Sequence, residues 1–227
     1  MPFIKKPKSR EPLWKEHDQA AQKDGLRHAV YNPNGAKYVG EWKNNLKHGK
    51  GEMYYNNGLL YDGDWENNMR NGFGTLSRDN QKIYVGGWKN DKRDGNGMNY
   101  YGDNQSYDGE WESGQRHGWG QMVFSDGTVY EGQWCNDHQN GQGLLRLPNG
   151  NHFEGEFRDG KKNGHGTFFY VSTQQIYKGV WKDDIPKCGE FMDMDRKQAE
   201  KPTEFELPEV GVANPRKILT EASLKYL

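Results

Sequence analysis

Apolar side chains are scarce in this 227-residue chain: they make up only 32% of it. No stretch approaches the ~18 consecutive apolar residues that a membrane-crossing helix needs. A composition so poor in apolar surface ordinarily cannot offset the entropy of ordering a chain. There are two cysteines, Cys135 and Cys188, in no CxxC or Cys/His spacing, so neither a disulfide framework nor a metal knuckle is written here. The first residues, MPFIKKPKSREPLW, hold no apolar core of the kind a secretory leader carries. A soluble protein of the reducing cytoplasm is the expectation. Excess charge is lacking as well, since 31 Lys and Arg face 32 Asp and Glu. Without a cationic groove, nucleic acid is not an expected partner.

Against these shortages stand 13% aromatic residues, eight Trp and 30 Gly. They fall in register. The stretch YVGEWKNNLKHGKGEMYYNNGLL, residues 38–60, is followed at once by YDGDWENNMRNGFGTLSRDNQKI, residues 61–83. Counting the opening aromatic as position 0, it recurs as Tyr38, Tyr61, Tyr84, Tyr107, Tyr130, Phe153 and Tyr177. Position 4 is Trp42, Trp65, Trp88, Trp111, Trp134, Phe157 and Trp181, and position 2 is glycine in all seven copies. A Gly-x-Gly follows at positions 11 and 13, from Gly49 and Gly51 to Gly164 and Gly166; only the seventh copy loses it, around Cys188, Gly189 and Glu190. Such a period is the mark of a repeat architecture.

Each copy reads as a hairpin. Tyr, Gly and Trp alternate and therefore share one face of a strand. Pairs such as Asn44-Asn45, Asn90-Asp91 and Asp159-Gly160 supply the positive φ of a tight turn, and Asn57-Gly58, Asp126-Gly127 and Asn149-Gly150 supply a second one. A half-copy at 29–31 pairs as a first strand. The expected fold is all-β: a single-layer twisted antiparallel meander of seven 23-residue hairpins, with short N- and C-terminal helical segments. Glycine between the rings lets a neighbouring ring lie over the strand. The acids at positions 1 and 3 (Asp62, Asp64, Asp108, Glu110) and the bases at position 9 (Lys47, Arg70, Arg93, Arg116, Lys162) are expected to pair across strands on the opposite, wet face.

Residues 1–28 form an extension whose segment 11–24, opened by Pro12 and closed by Gly25, reads as a short helix. The repeats occupy 29–192. Residues 193–227 read as an extended arm followed by an amphipathic helix over 214–227, with Ile218, Leu219, Ala222 and Tyr226 on its apolar stripe. No cofactor is called for: the Gly-x-Gly pairs lie in strands and none opens a helix, so the phosphate-loop fingerprint fails. His48, His117, His138, His152 and His165 sit at differing places in or near the hairpins and read as exposed turn or strand residues, not metal ligands. No Ser/His/Asp or Cys/His triad can be assembled, and no catalytic residue is assigned.

Tyr-x-Gly-x-Trp with Gly-x-Gly in a 23-residue period resembles the MORN (membrane occupation and recognition nexus) repeat family, over residues 38–192. The flanks LWKEHDQAAQKDGLRHAVYNPNG and PTEFELPEV are similar to those of a small member of it. The resemblance implies a non-enzymatic scaffold of motile cilia and sperm flagella, built into a large hetero-complex of axonemal proteins such as a radial spoke. The alternative it leaves is a phospholipid-binding peripheral adaptor of an acrosomal or vesicle surface. That is the weaker reading, because acidic and basic columns interleave and only Lys5, Lys6, Lys8 and Arg10 form a basic cluster. A single-layer ribbon is expected to leave its aromatic face partly uncovered, as a groove for a partner segment. The residues expected to bind protein are then Tyr61, Trp65, Tyr84, Trp88, Tyr107, Trp111, Tyr130, Trp134, Phe153 and Phe157, together with Ile218, Leu219 and Tyr226 of the tail. The tail is expected to be held outward by a partner, since docking on its own chain would fill that groove.

Overall fold

The fold was analysed in a computed structural model, which describes residues 20–194. The segment expected as a helix at 214–227 lies outside the described residues; of that expected at 11–24, residues 20–24 are described and only Ala20 is helical, so the helix does not run to Gly25, which takes a positive φ of 72° as the first residue of a strand. Everything between is strand and turn. The first unit, Met1–Gly97, contains β1 (Gly25–Tyr31), β2 (Lys37–Lys43), β3 (Leu46–Tyr54), β4 (Leu59–Glu66), β5 (Met69–Arg78), β6 (Gln81–Lys89) and the start of β7 (Lys92–Gly102). The second, Met98–Leu227, contains the rest of β7, then β8 (Gln105–Glu112), β9 (Gln115–Val123), β10 (Val129–Cys135), β11 (His138–Arg146), β12 (His152–Arg158), β13 (Lys161–Tyr170), β14 (Gln175–Lys182) and β15 (Ile185–Asp193). Strand order is sequential from β1 to β15, in one open antiparallel sheet. Seven hairpins and the half-copy strand account for all fifteen strands among the described residues.

The turns form where the residue chemistry demands. Both residues of the inner turn have positive φ in every copy, from Asn44 (49°) and Asn45 (65°) to Asp183 (50°) and Asp184 (66°), the mirror-image geometry that matches strand twist. The second residue of the inner turn also binds its copy to the preceding one. The Asp91 amide donates to the Arg70 carbonyl, and the Asp91 carboxylate accepts from the Arg70 amide, at 3.1 and 3.0 Å. Asp137 does the same to Arg116, and Asp184 to Lys162. An Asn or Asp at position 7 is therefore both turn former and staple.

A bulge follows the hairpin in copies of both units. Gly40 pairs with Gly51 and Trp42 with Lys47, so extra residues are accommodated near Gly49, whose φ of 63° only glycine adopts comfortably. The acid at position 3 turns inward to this bulge. Glu41, Asp64 and Glu110 accept the backbone N–H groups of Lys50, Phe73 and Trp119 at 2.9 to 3.1 Å. The expected pairing of these acids with the position-9 bases is thereby corrected: the carboxylates satisfy backbone donors that the bulge removes from the ladder. Lys50–Asp64, at 2.6 Å, and Arg146–Glu131, at 3.4 Å, are cross-strand ion pairs on that face, but neither base comes from position 9.

The core is the aromatic column itself. Tyr38, Tyr61, Tyr107, Tyr130 and Phe153 are wholly buried, and the Trp or Phe at position 4 is nearly so. Each ring lies on the glycine at position 13: a β-carbon built on Gly74 would stand 2.3 Å from the Tyr61 hydroxyl oxygen, and one on Gly120 2.4 Å from that of Tyr107. No other residue type fits beneath the ring. Gly74→Ala is expected to destabilise the chain by about 1–3 kcal/mol, an overpacking cost, or roughly 3–10 °C in melting temperature for a chain of this size. Calorimetry checks this, and a wild-type melting temperature would show that the ring does not rest on that glycine.

Candidate functional site

The repeat assembles a four-part stack. Tyr38 meets Trp42 of its own copy edge-on at 5.2 Å between ring centroids and Trp65 of the next copy at 5.5 Å; Tyr61 meets Trp65 and Trp88 in the same way. In the second unit Tyr107 lies between Trp111 and Trp134, and Tyr130 between Trp134 and Phe157. Each of these four tyrosines is thus closed by the position-4 ring of the next copy. Edge-to-face contacts of this kind add about 0.5–1.5 kcal/mol each beyond the area they bury.

Polar atoms on the rings are satisfied by backbone. The Tyr hydroxyl donates to the carbonyl at position 3, as Tyr61 to Asp64 at 3.0 Å and Tyr130 to Gln133 at 3.0 Å. The indole N–H reaches back to the position-13 glycine of the preceding copy, as Trp65 to Gly51 at 3.0 Å and Trp134 to Gly120 at 3.0 Å. Trp42 marks the limit of this rule. The pairing of β1 with β2 slips between Arg27 and Val30, and the buried Trp42 Nε1 has no hydrogen-bond partner.

The position-9 bases cover the stack. Arg70 lies 4.0 Å from the Trp88 centroid and 5.6 Å from that of Tyr61, while its Nε–H donates to Asp91 at 2.9 Å. Arg116 repeats this on Trp134 and Tyr107 with Asp137 as its anion. Lys47 covers Trp65, and Lys162 covers Trp181 beside Asp184. The bases were expected on the wet face. They belong to the aromatic face, because a two-residue turn sets position 9 opposite position 4, as Arg70 opposite Trp65. Burial under the rings holds the Lys47 ammonium below its usual pKa, although the Asp91 charge works in the other direction.

This geometry decides where the expected binding residues stand. Tyr61, Trp65, Tyr84, Trp88, Tyr107, Trp111, Tyr130, Trp134, Phe153 and Phe157 are all brought into one kind of stack, but each is at most 6% exposed. The expectation of an uncovered aromatic groove is corrected: ring-on-ring packing and the cation above it close the face without a second layer. Ile218, Leu219 and Tyr226 lie outside the described residues. What sequence reasoning passed over is position 12, where the first six copies carry Lys50, Phe73, Asn96, Trp119, Gln142 and His165. Phe73 is 58% exposed and Trp119 50% exposed, on the face opposite the stack. The signal was available in the column, as two large aromatics at a position held mostly by polar residues. Lys23 was missed too: it covers Trp42 at 4.5 Å, one copy ahead of the first complete repeat.

Of the histidines, His117 lies 3.4 Å from Glu112, His152 stacks on Phe169 at 4.2 Å, and the His48 Nδ1 atom is buried without a partner. Among the described residues no group of three or more His, Cys, Asp or Glu is gathered to hold a metal.

A sheet grown by identical hairpins, each closed by the ring of the next, defines a linear repeat protein, and the MORN repeat model matches residues 38–59, 61–82, 84–105, 107–129, 130–152 and 153–173. The chain belongs to the MORN repeat family. The seventh copy lies beyond those matches, yet Tyr177 and Trp181 remain edge-on at 5.6 Å in the β14–β15 hairpin. The chain is similar to proteins named MORN repeat-containing protein 3: the Homo sapiens protein is 64% identical over 98% of this chain and 95% of its own length. That of Mus musculus is 61% identical over 100% and 97%, and that of Xenopus laevis 54% identical over 98% and 96%.

Burial of the tyrosine column has a consequence for pH. It pushes the hydroxyls of Tyr38, Tyr61, Tyr107 and Tyr130 far above the ordinary phenol range and that of Tyr84 up to about 12. Between the ordinary value near 10 and these raised ones, the unfolded chain releases protons that the folded chain keeps, so stability falls as pH rises past about 10. Denaturant midpoints are expected to be unaffected by these groups up to about pH 9.5 and to drop steeply beyond about pH 10. Tyr107→Phe, which matches the natural Phe153, is expected to make that drop shallower; an unchanged alkaline slope would count against the buried hydroxyl as its source.

Proposed function

We propose that this chain is a non-catalytic scaffold that binds segments of partner proteins within an axonemal assembly of motile cilia or sperm flagella, such as a radial spoke. The observation that carries the binding role is the exposure of Phe73 in the first unit and of Trp119 in the second. Large aromatics held out from a rigid sheet are typical anchors of protein interfaces. Both sit on strands whose other face is locked by the stack, so they are presented without further ordering. Around Trp119 the same face carries Asp108, Glu110, Glu131 and Gln121, with Gln133 directly opposite. A partner segment with cationic side chains complements this surface, which also offers an indole for cation–π contact. The ciliary setting is supported by the resemblance of the repeats and flanks to small members of the family.

What weighs against the lipid reading is the employment of the bases. Arg70, Arg116 and Lys162 are stacked on rings and lie beside Asp91, Asp137 and Asp184, which withdraws these bases from contact with an anionic surface. Phe73→Ser combined with Trp119→Ser is expected to keep the melting temperature within about 1–2 °C while abolishing co-purification with axonemal proteins from isolated cilia or sperm. By contrast, Trp88→Ala or Trp134→Ala is expected to unfold its own part of the sheet, seen by circular dichroism. Flotation with phosphoinositide vesicles at ~0.15 M salt is expected to leave the protein in the dense fraction. Full partner recovery by the folded double variant would remove the anchor assignment, and flotation lost on deleting residues 1–10 would favour the membrane.

A further inference from the structure

The closure rule fails at one end of the second unit. Tyr107, Tyr130 and Phe153 are each covered by the position-4 ring of the next copy. Tyr177 has no next copy among the described residues, and Phe191 of β15 stands in, tilted at 57° and 4.9 Å away. The neighbouring apolar column opens in step. The residues paired with the position-0 rings run from Met122, 3% exposed, through the half-buried Leu145 and Phe168 to Phe191, 41% exposed. These side chains lie on the stack face, since Leu145 pairs with Tyr130, Phe168 with Phe153 and Phe191 with Tyr177. Tyr170 joins them, 4.6 Å from Phe168 and 6.1 Å from Phe191. Pro186 stands opposite Trp181 at position 9, where Arg116 covers Tyr107 and Lys162 covers Phe153, so no position-9 cation covers Tyr177, although Trp181 keeps Lys162 of the preceding copy. The outcome is an apolar strip, Leu145–Phe168–Tyr170–Phe191, that widens toward an edge strand.

We propose that this strip is covered by residues 214–227 of the same chain, with Ile218, Leu219 and Tyr226 against it. The chain leaves β15 beside the strip: the Met194 amide donates to the Gln174 carbonyl, next to the turn that follows Tyr170. Residues 195–213 can reach roughly 60 Å at ~3.3 Å per residue, whereas β11 to β15 cover only about 19 Å at ~4.8 Å per strand. The stripe Ile218, Leu219, Ala222 and Tyr226 offers aliphatic side chains for the Leu145–Phe168 part and one ring for the position next to Tyr177. The case for an outward tail was that a docked one would fill the aromatic groove. The stack closes that groove by itself, and the strip is an apolar surface left open on that face. Lys23 on Trp42 provides the parallel, a residue from outside the repeats closing a terminal ring.

The test uses the full chain with a photo-reactive phenylalanine analogue at Leu219, illuminated in an equal mixture of isotopically light and heavy protein. Cross-links to Leu145, Phe168, Tyr170 or Phe191 within one chain are expected, together with a fall of about 5 °C in melting temperature for Ile218→Asp with Leu219→Asp. Light–heavy cross-links would assign the strip to a second copy and overturn the proposal. So would the absence of cross-links to the strip with an unchanged melting temperature, which would leave it to a different protein. None of these readings depends on partner recovery through Phe73 and Trp119.

Discussion

A sheet one layer thick has no second layer to bury against, so every ring must be covered by something within the sheet. Here the cover is the next copy's ring, lying edge-on, with a glycine beneath and a cation above. The requirement fixes the period. Tyr, Trp and the position-13 glycine must recur at one spacing, because a Trp such as Trp88 both closes the preceding tyrosine and bonds to the preceding glycine carbonyl. Substitutions within the stack follow the same logic: Phe153 and Phe157 keep the ring shape and give up only a polar atom. Stability is thereby a nearest-neighbour property, as in other linear repeat proteins, and 32% apolar content suffices because most of the core is aromatic.

That division also separates structure from binding. Positions 0, 2, 4, 9, 11 and 13 are consumed by the stack, its bulge and its cover. Positions 1, 12, 14 and 16 face the other way and vary from copy to copy, with Lys50, Phe73, Asn96 and Trp119 in one column alone. A repeat protein distinguishes its partners through such free columns, since altering the stacked ones costs the fold. An exposed Trp119 with its N–H anchored to Glu110 is held in place by backbone that the bulge has already ordered.

The period, the turns and the sequential order of strands were legible in the sequence, because covalent spacing and positive-φ residues report them directly. The side on which the bases lie was legible too, but by a different count. Across a two-residue turn position 5 faces position 8 and position 4 faces position 9, which sets Arg70 against Trp65. Reading by charge complementarity instead placed the bases with the acids. The acids' own task could not be read, since it depends on N–H groups that a bulge withdraws from the ladder, as at Phe73 and Asp64. Nor could the closed aromatic face be read. Its closure needs a cation whose stem lies along one ring while its head meets an aspartate of the next turn, as Arg70 does with Trp88 and Asp91.

The ends of such an array obey a different rule from its interior, and they differ from each other. At the N-terminal side the unmet need is polar. Trp42 is covered by Lys23, but the slipped pairing of β1 leaves its indole N–H without the carbonyl that Trp65 and Trp88 find in Gly51 and Gly74. At the C-terminal side the unmet need is apolar, because among the described residues Tyr177 has no next-copy ring over it and the apolar column beside it opens at Phe191. A polar defect is met by one water or one carbonyl, whereas an apolar one needs a surface. Non-repeat sequence that carries a stripe of Ile218, Leu219 and Tyr226 therefore has a physical reason to sit after the last hairpin of the array, and not before the first.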